Sequence, residues 1–293
     1  MRKRDRLATI EVSGRSNRGG KWRKLIAQSR VVMESGTFGG ERPLNERDKR
    51  RIAFLRAIVG DAGVREKPGA YATRRRRKDP WPELAGFDHA IRAANGAKRL
   101  CGVDEVGRGP LAGPVVAAAV ILPVGSAFHG LDDSKRLSAK ARVSLFRDIL
   151  REAEAVGVGV ADARAIDSMN ILRASLLAMR RAWRRLGQTP DLTLVDGNRE
   201  IPSLCARQLA VVDGDALSAC VAAASVVAKV YRDRLMVLAS SRYPDYQFEL
   251  NKGYGTPEHC ERLRQNGPCP LHRLTFIERF LMEGDLFHAV DGD

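Results

Sequence analysis

The chain has 293 residues, 44% of them hydrophobic, which is enough for one large domain or two small ones with a proper core. Its five cysteines, at 101, 205, 220, 260 and 269, are odd in number and form no C-x-x-C pair, which argues against a disulfide framework and against structural zinc. The formal charge of +15 lies in the first quarter, where residues 1–78 carry 23 Lys/Arg against 8 Asp/Glu; the remaining residues balance.

That excess points to a polyanionic partner, and to nucleic acid rather than a membrane, because no amphipathic basic helix is evident. Residues 1–78 read as a basic, disordered extension ending in Arg74 to Lys78, with short helical pieces near 22–29 and 46–59 that could form no core alone. Translation from an internal start such as Met33 is an alternative account of it. There is no apolar run of 18 residues and no signal-peptide pattern, so a monomer in a reducing cytoplasm is expected.

Residues 79–98 form a lead-in, helical over 81–97 with Phe87, Ile91 and Ala94 on one face, and 99–293 form the main domain. An apolar strand over 100–106 runs into a turn of Gly107, Gly109, Pro110, Gly113 and Pro114, and a second over 115–122 completes a hairpin. Ser138 caps a helix over 139–153, and 156–161 is a third strand. Asp167 or Ser168 caps a helix to residue 186, with Ile171, Leu172, Ser175, Leu176 and Met179 inward. Short strands follow at 192–195 and 209–212, then a helix over 216–240 that is apolar nearly all round in its first half and so buried. Thr256 caps a helix to residue 265, and 275–287 is a docked helix. The order predicts an α/β fold, a mixed central sheet flanked by helices with a C-terminal helical segment.

Asp104 with Glu105, Asp196 and Asp215 each sit where an apolar strand gives way to a glycine turn, so one sheet edge could gather all four. Adjacent strand residues face opposite ways, so Asp104 and Glu105 cannot share one core. Carboxylates without His or Cys select hard cations, Mg²⁺ or Mn²⁺, and such sites serve phosphate chemistry.

The string Gly102-Val-Asp104-Glu105-Val-Gly107-Arg108-Gly109-Pro-Leu-Ala-Gly-Pro114 resembles the signature of the type 2 ribonuclease H (ribonuclease HII) family. Leu131 to Ser138, Val195 to Asn198, Gly214-Asp215, Ala222 to Asp233 and Lys252 to His259 agree in order, so the resemblance spans about residues 85–285. It implies a ribonuclease H-like fold, hydrolysis of RNA in RNA–DNA hybrids, and incision 5′ of single ribonucleotides in duplex DNA, leaving 3′-hydroxyl and 5′-phosphate ends. It assigns Asp104, Glu105, Asp196 and Asp215 to the metal, and Gly107, Arg108, Gly109 and Tyr254 to the ribonucleotide. Ser134, Lys135, Lys229 and Arg232 are candidate substrate contacts, with Lys229 expected in the same cleft as Asp215. His259 is expected to be a helix residue rather than a catalyst. Asp213 departs from the lysine often found there and adds negative charge beside the site. The sequence also allows two alternatives, a non-catalytic nucleic-acid binder and a deoxyribonuclease of similar fold. Residues 284–288, Gly-Asp-Leu-Phe-His, suggest a partner motif of the kind a sliding clamp would take.

Overall fold

The computed structural model describes residues 79–278. The basic extension over 1–78, residues 284–288 and most of the helix predicted over 275–287 lie outside the described residues, although 274–278 are helical.

The chain enters through α1 (Trp81–Asn95) and crosses β1 (Leu100–Val106) and β2 (Val115–Ile121), which pair antiparallel with Glu105 opposite Ala117. It continues through α2 (Ala139–Glu152), β3 (Ala155–Ala161), α3 (Ala163–Met169), α4 (Ile171–Arg184), β4 (Leu192–Asp196) and β5 (Gln208–Val211). The long α5 (Ala219–Ser240), the single turn α6 (Phe248–Asn251) and α7 (Pro257–Asn266) complete it. The sheet order is β3-β2-β1-β4-β5, with β4 parallel to both β1 and β5. The mixed sheet read from the sequence is therefore present, and its parallel pair β1–β4 places Asp104 and Asp196 at neighbouring strand ends. Among the described residues no helix is long and apolar enough to cross a membrane.

Strand alternation divides the core in two. Leu100, Val116, Ala118, Val120, Leu192 and Leu194 face α1, α2 and α5, while Cys101, Val103, Ala117, Ala119 and Val195 face α3 and α4. The lead-in helix thus belongs to the main core, through Trp81, Leu84, Phe87 and Ile91, with Ala94 only half-buried. It also fixes the start of α5. The buried Asp88 carboxylate accepts from Ser218 Oγ at 2.6 Å and from the Cys220 N–H at 3.0 Å, and Ser218 caps the helix.

Helix α5 lies so close to β1 that Gly102 has no room for a side chain. A Cβ there would fall 2.2 Å from Cys220 C and 2.3 Å from Val221 N, both backbone. We therefore expect Gly102→Ala to destabilise the protein by about 3 kcal/mol or more, read from urea unfolding, with the metal-site geometry lost alongside. A loss under about 0.5 kcal/mol would contradict this packing.

The structure corrects several element boundaries. The helix predicted from Asp167 or Ser168 to residue 186 is α4, capped by Asn170, and a separate short helix, α3, capped by Asp162, precedes it; Asn170 between them has φ 72° and ψ 164°, a backbone conformation that favours glycine and is strained for Asn. The buried face of α4 is Ala174, Ser175, Ala178, Met179 and Ala182, so Ser175 and Met179 point inward as expected, while Ile171, Leu172 and Leu176 are only half-buried, Ile171 and Leu176 packing against the same core. Its small side chains sit on Gly157 and Gly159 of β3, where a Cβ would meet Ala182 O and Ala178 O. Asp167 caps no helix start of its own. It accepts from Leu274 N, Thr275 N and Thr275 Oγ1, fastening the 274–278 segment to the domain. Finally, α5 begins at Ala219, not 216, because Gly214–Ala216 forms a 3-10 turn that carries Asp215.

Candidate active site

Asp104 and Asp196 point to the α5 face of the sheet and Glu105 to the other, but all three stand at strand ends, where side chains from both faces can converge. One oxygen from each falls within 4.8 Å of the others. Asp104 is 5% exposed, and its Oδ1 accepts the Glu105 N–H at 2.6 Å. Asp196 Oδ1 accepts the Gly214 N–H at 2.7 Å, which ties β4 to the turn bearing Asp215. Asp215 lies beside this trio and is held by Lys135 Nζ at 3.5 Å.

Burial first, and then the charges of Asp196 and Glu105, push the Asp104 carboxyl well above the ordinary carboxylate range. Burial likewise raises Glu105 and Asp196, with Asp213 adding to Asp196; burial, Asp133 and Asp196 raise Asp215. Like charges gathered in a poorly solvated site are unfavourable unless a cation joins them. An all-oxygen donor set of this kind fits a hard divalent ion, and Asp104, Glu105 and Asp196 are the residues that would hold it. Protons and cation compete for the same oxygens, so affinity for Mn²⁺ should fall as pH is lowered through the raised carboxylate range. Calorimetric titration between about pH 8 and 5 checks this, and an affinity that stays flat would contradict it.

The flanking residues sort into two groups. Ser225 of α5 hydrogen-bonds the Asp104 carboxyl and lies 2.9 Å from the Oγ of Ser134, the serine expected near the site. Arg108 extends into solvent with Nη1 3.2 Å from Glu105 Oε1. Gly107 has φ 91° and packs on Arg232, whereas nothing lies within 4 Å of where a Gly109 Cβ would be. Tyr254 is half-exposed, with Lys229 Nζ 5.7 Å and Arg232 Cζ 5.5 Å from its ring centroid. Its loop is sewn to the glycine turn by Leu111 N–H and Ala112 N–H, which both donate to Gly253 O.

Two expectations change. Lys135, not Lys229, is the lysine found at Asp215; Lys229 pairs with Asp233 at 2.8 Å beneath Tyr254. Arg232 is wholly buried and donates to the carbonyls of Pro114, Lys252 and Ala112, leaving no free guanidinium face for a phosphate.

Sequence reasoning missed Arg273 and His272. Arg273 is also wholly buried and donates to Gly107 O, Arg108 O and Gly113 O. His272 accepts the Cys269 N–H at Nδ1, so its Nε2 carries hydrogen and donates to His259 Nε2 at 3.1 Å; His259 Nδ1 in turn donates to Tyr254 O at 2.8 Å. Burial pushes both imidazoles down, His272 to about 4, so they are neutral near pH 7 and act as a hydrogen-bonded strut for the Tyr254 loop. A histidine inside a helix and another in a loop carry no sequence signal that they meet.

Comparison with known proteins agrees with this geometry. A family model described as Ribonuclease HII matches residues 101–280. A ribonuclease HII of Parvibaculum lavamentivorans is 48% identical over 210 residues, covering 71% of this chain and 78% of that protein. Among solved structures, ribonuclease H2 from Pyrococcus horikoshii OT3 is 26% identical with a TM-score of 0.51, over 62% of this chain and 99% of that one. The Bst ribonuclease HIII structure in complex with Mn²⁺ matches in fold, at 18% identity and a TM-score of 0.55 over 90% of this chain and 97% of that one. With a matching model over more than half its length, an acidic cluster at the sheet edge and a curated relative close to half identical, this chain belongs to the ribonuclease HII family of metal-dependent endoribonucleases.

Proposed function

We propose that this protein cuts duplexes on the 5′ side of a ribonucleotide, with Asp104, Glu105, Asp196 and Asp215 as the metal-binding carboxylates and Gly107, Arg108, Gly109 and Tyr254 as the ribose-reading group. The family's activity is cleavage of RNA in RNA–DNA hybrids and at ribonucleotides embedded in DNA; the residue assignments and the cut position are our reading. When bound, Mg²⁺ or Mn²⁺ would supply Lewis-acid activation of water and charge stabilisation at the leaving oxygen. The Mn²⁺ named in the ribonuclease HIII structure belongs to that protein and supports the same class of ion here.

The observation that carries this reading is the adjacency of the carboxylates to an open glycine turn. Asp104 and Gly109 are five residues apart on one strand and turn, and Gly109 presents backbone with no side chain before it. Backbone amides and carbonyls at such a point can engage a 2′-hydroxyl, the group that distinguishes RNA from DNA locally. Tyr254 would stack on the following sugar or base. Arg108, Lys135 and Lys229 supply positive charge around the site, Ser225 holds Asp104 while Ser134 bonds Ser225, and both hydroxyls could contact the substrate backbone. The basic residues 1–78 would add non-specific, salt-sensitive affinity.

Rates on three matched duplexes test the reading: one with a single ribonucleotide, one RNA–DNA hybrid and one all-DNA. Cleavage of the first two with Mn²⁺ or Mg²⁺, none with chelator, and at least about a hundredfold slower cutting of DNA is expected. Equal cutting of all three would remove the ribose-reading role.

A further inference from the structure

Among the described residues, two of the largest fully buried side chains are cationic. Arg232 on α5 and Arg273 before the 274–278 segment are both 0% exposed, and among the described residues neither has a carboxylate within ion-pair distance. Burying two unpaired like charges near each other is costly. Burial, and then the neighbouring Arg232 charge, pulls Arg273 down to about 9. The core could be filled more favourably by apolar groups of the same volume, so the cations call for a reason beyond packing.

Their partners suggest one. Arg273 donates through Nη2 to Gly107 O at 2.6 Å and Gly113 O at 2.9 Å, through Nε to Gly113 O at 3.0 Å, and through Nη1 to Arg108 O at 2.8 Å. Arg232 donates through Nε to Pro114 O at 2.9 Å, through Nη2 to Ala112 O at 3.2 Å, and through Nη1 to Lys252 O at 3.1 Å. Every donor atom of both forks is used, and every acceptor is a carbonyl of the turn over 107–114 or of the loop that leads into Tyr254. Arg232 also lies against the Tyr254 ring, 5.5 Å from its centroid, and its Nε is the atom that a Cβ on Gly107 would strike first.

We propose that Arg232 and Arg273 together form a buried guanidinium frame that sets the Gly107–Gly109 turn and the Tyr254 ring relative to each other, and so act as positioning residues for ribonucleotide selection. This rests on the reading that the turn and Tyr254 read ribose. The physical logic has two parts. A planar fork fixes the direction of two or three carbonyls at once, which an ammonium cannot do. By turning those carbonyls inward, the frame also removes acceptor lone pairs from the side that a polyanion approaches, and it leaves a positive field beneath the turn. Selection between ribose and deoxyribose depends on hydrogen-bond geometry at one hydroxyl, so a small tilt of the turn should be felt there before it is felt at the metal.

The test uses the full chain and the variants Arg273→Lys and Arg232→Lys, which keep the charge but lose the fork. The readouts are Mn²⁺ affinity, cooperative thermal unfolding, and the ratio of kcat/KM for a single-ribonucleotide duplex to that for the same duplex in all-DNA form. Both variants are expected to unfold cooperatively and to bind Mn²⁺ within about twofold of wild type, while the ratio falls by at least about tenfold. In Arg273→Ala, millimolar guanidinium should restore part of that ratio, and equal sodium chloride should not. An unchanged ratio in both lysine variants overturns the proposal. So does a fall that merely follows lost Mn²⁺ affinity or lost cooperative unfolding with no guanidinium rescue, since that marks a purely structural role. If wild type itself fails to discriminate ribose, the underlying functional reading fails first, and the two failures are told apart by that control.

Discussion

Asp104→Asn is expected to lower the cleavage rate by about a thousandfold or more, equivalent to ~4 kcal/mol of transition-state stabilisation, while leaving the metal-free protein at least as stable as wild type. The two effects have one cause. Asp104 is the most enclosed of the four site carboxylates and feels Asp196, Glu105 and Asp215 as like charges. Asparagine has nearly the same shape and keeps an oxygen for the Glu105 N–H, but it removes a charge that folding buries at a cost and that a cation needs. The expected signature is therefore loss of activity and of Mn²⁺-dependent stabilisation, with an unchanged or raised melting temperature in chelator. Retained activity would show that the carboxylates only hold turns. A variant much less stable without metal would show that Asp104 contributes to the fold through contacts beyond the Glu105 N–H and Ser225.

A pair of glycine substitutions separates holding the turn from reading the substrate. In Gly107→Ala the new Cβ would sit 2.2 Å from Arg232 Nε and 2.9 Å from Pro114 O, at φ 91°, so both stability and activity should suffer, by about 2–4 kcal/mol in unfolding and about a hundredfold in rate. Gly109→Ala meets nothing within 4 Å and needs no left-handed backbone, so its stability should stay within about 0.5 kcal/mol of wild type. If substrate backbone approaches that glycine closely, the same methyl should still slow cleavage of a single-ribonucleotide duplex by about tenfold or more. Chemical denaturation and initial rates on the two variants decide the matter. A Gly109→Ala enzyme with wild-type rate and selectivity would place the ribose elsewhere.

The carboxylates were legible because strand-end acids followed by glycine turns leave a local pattern, and the β1–β2 hairpin and the caps at Ser138 and Thr256 were legible for the same reason. What the sequence hid depends on long-range partners. Arg232 follows Lys229 on a helix and looks like another exposed base; only the fold reveals that its neighbours are three carbonyls from distant segments. Arg273, His272 and Asp88 are similar cases, polar groups whose roles are set by backbone atoms or rings far away in sequence. The alanines of α4 gave no signal because large apolar residues usually point inward, whereas Gly157 and Gly159 bring the helix close to the sheet where Ala178 and Ala182 pack.

In the function we propose, the metal-binding carboxylates and the ribose-reading turn act as one geometric unit, so that the place of the ribonucleotide dictates the place of the cut. Mapping the incision on a long DNA duplex with one embedded ribonucleotide tests it most directly. A single cut is expected on the 5′ side of that ribonucleotide, leaving a 3′-hydroxyl, and it should move in step when the ribonucleotide is moved along the strand. Cuts scattered along the duplex, or a fixed cut that ignores where the ribonucleotide lies, would contradict it.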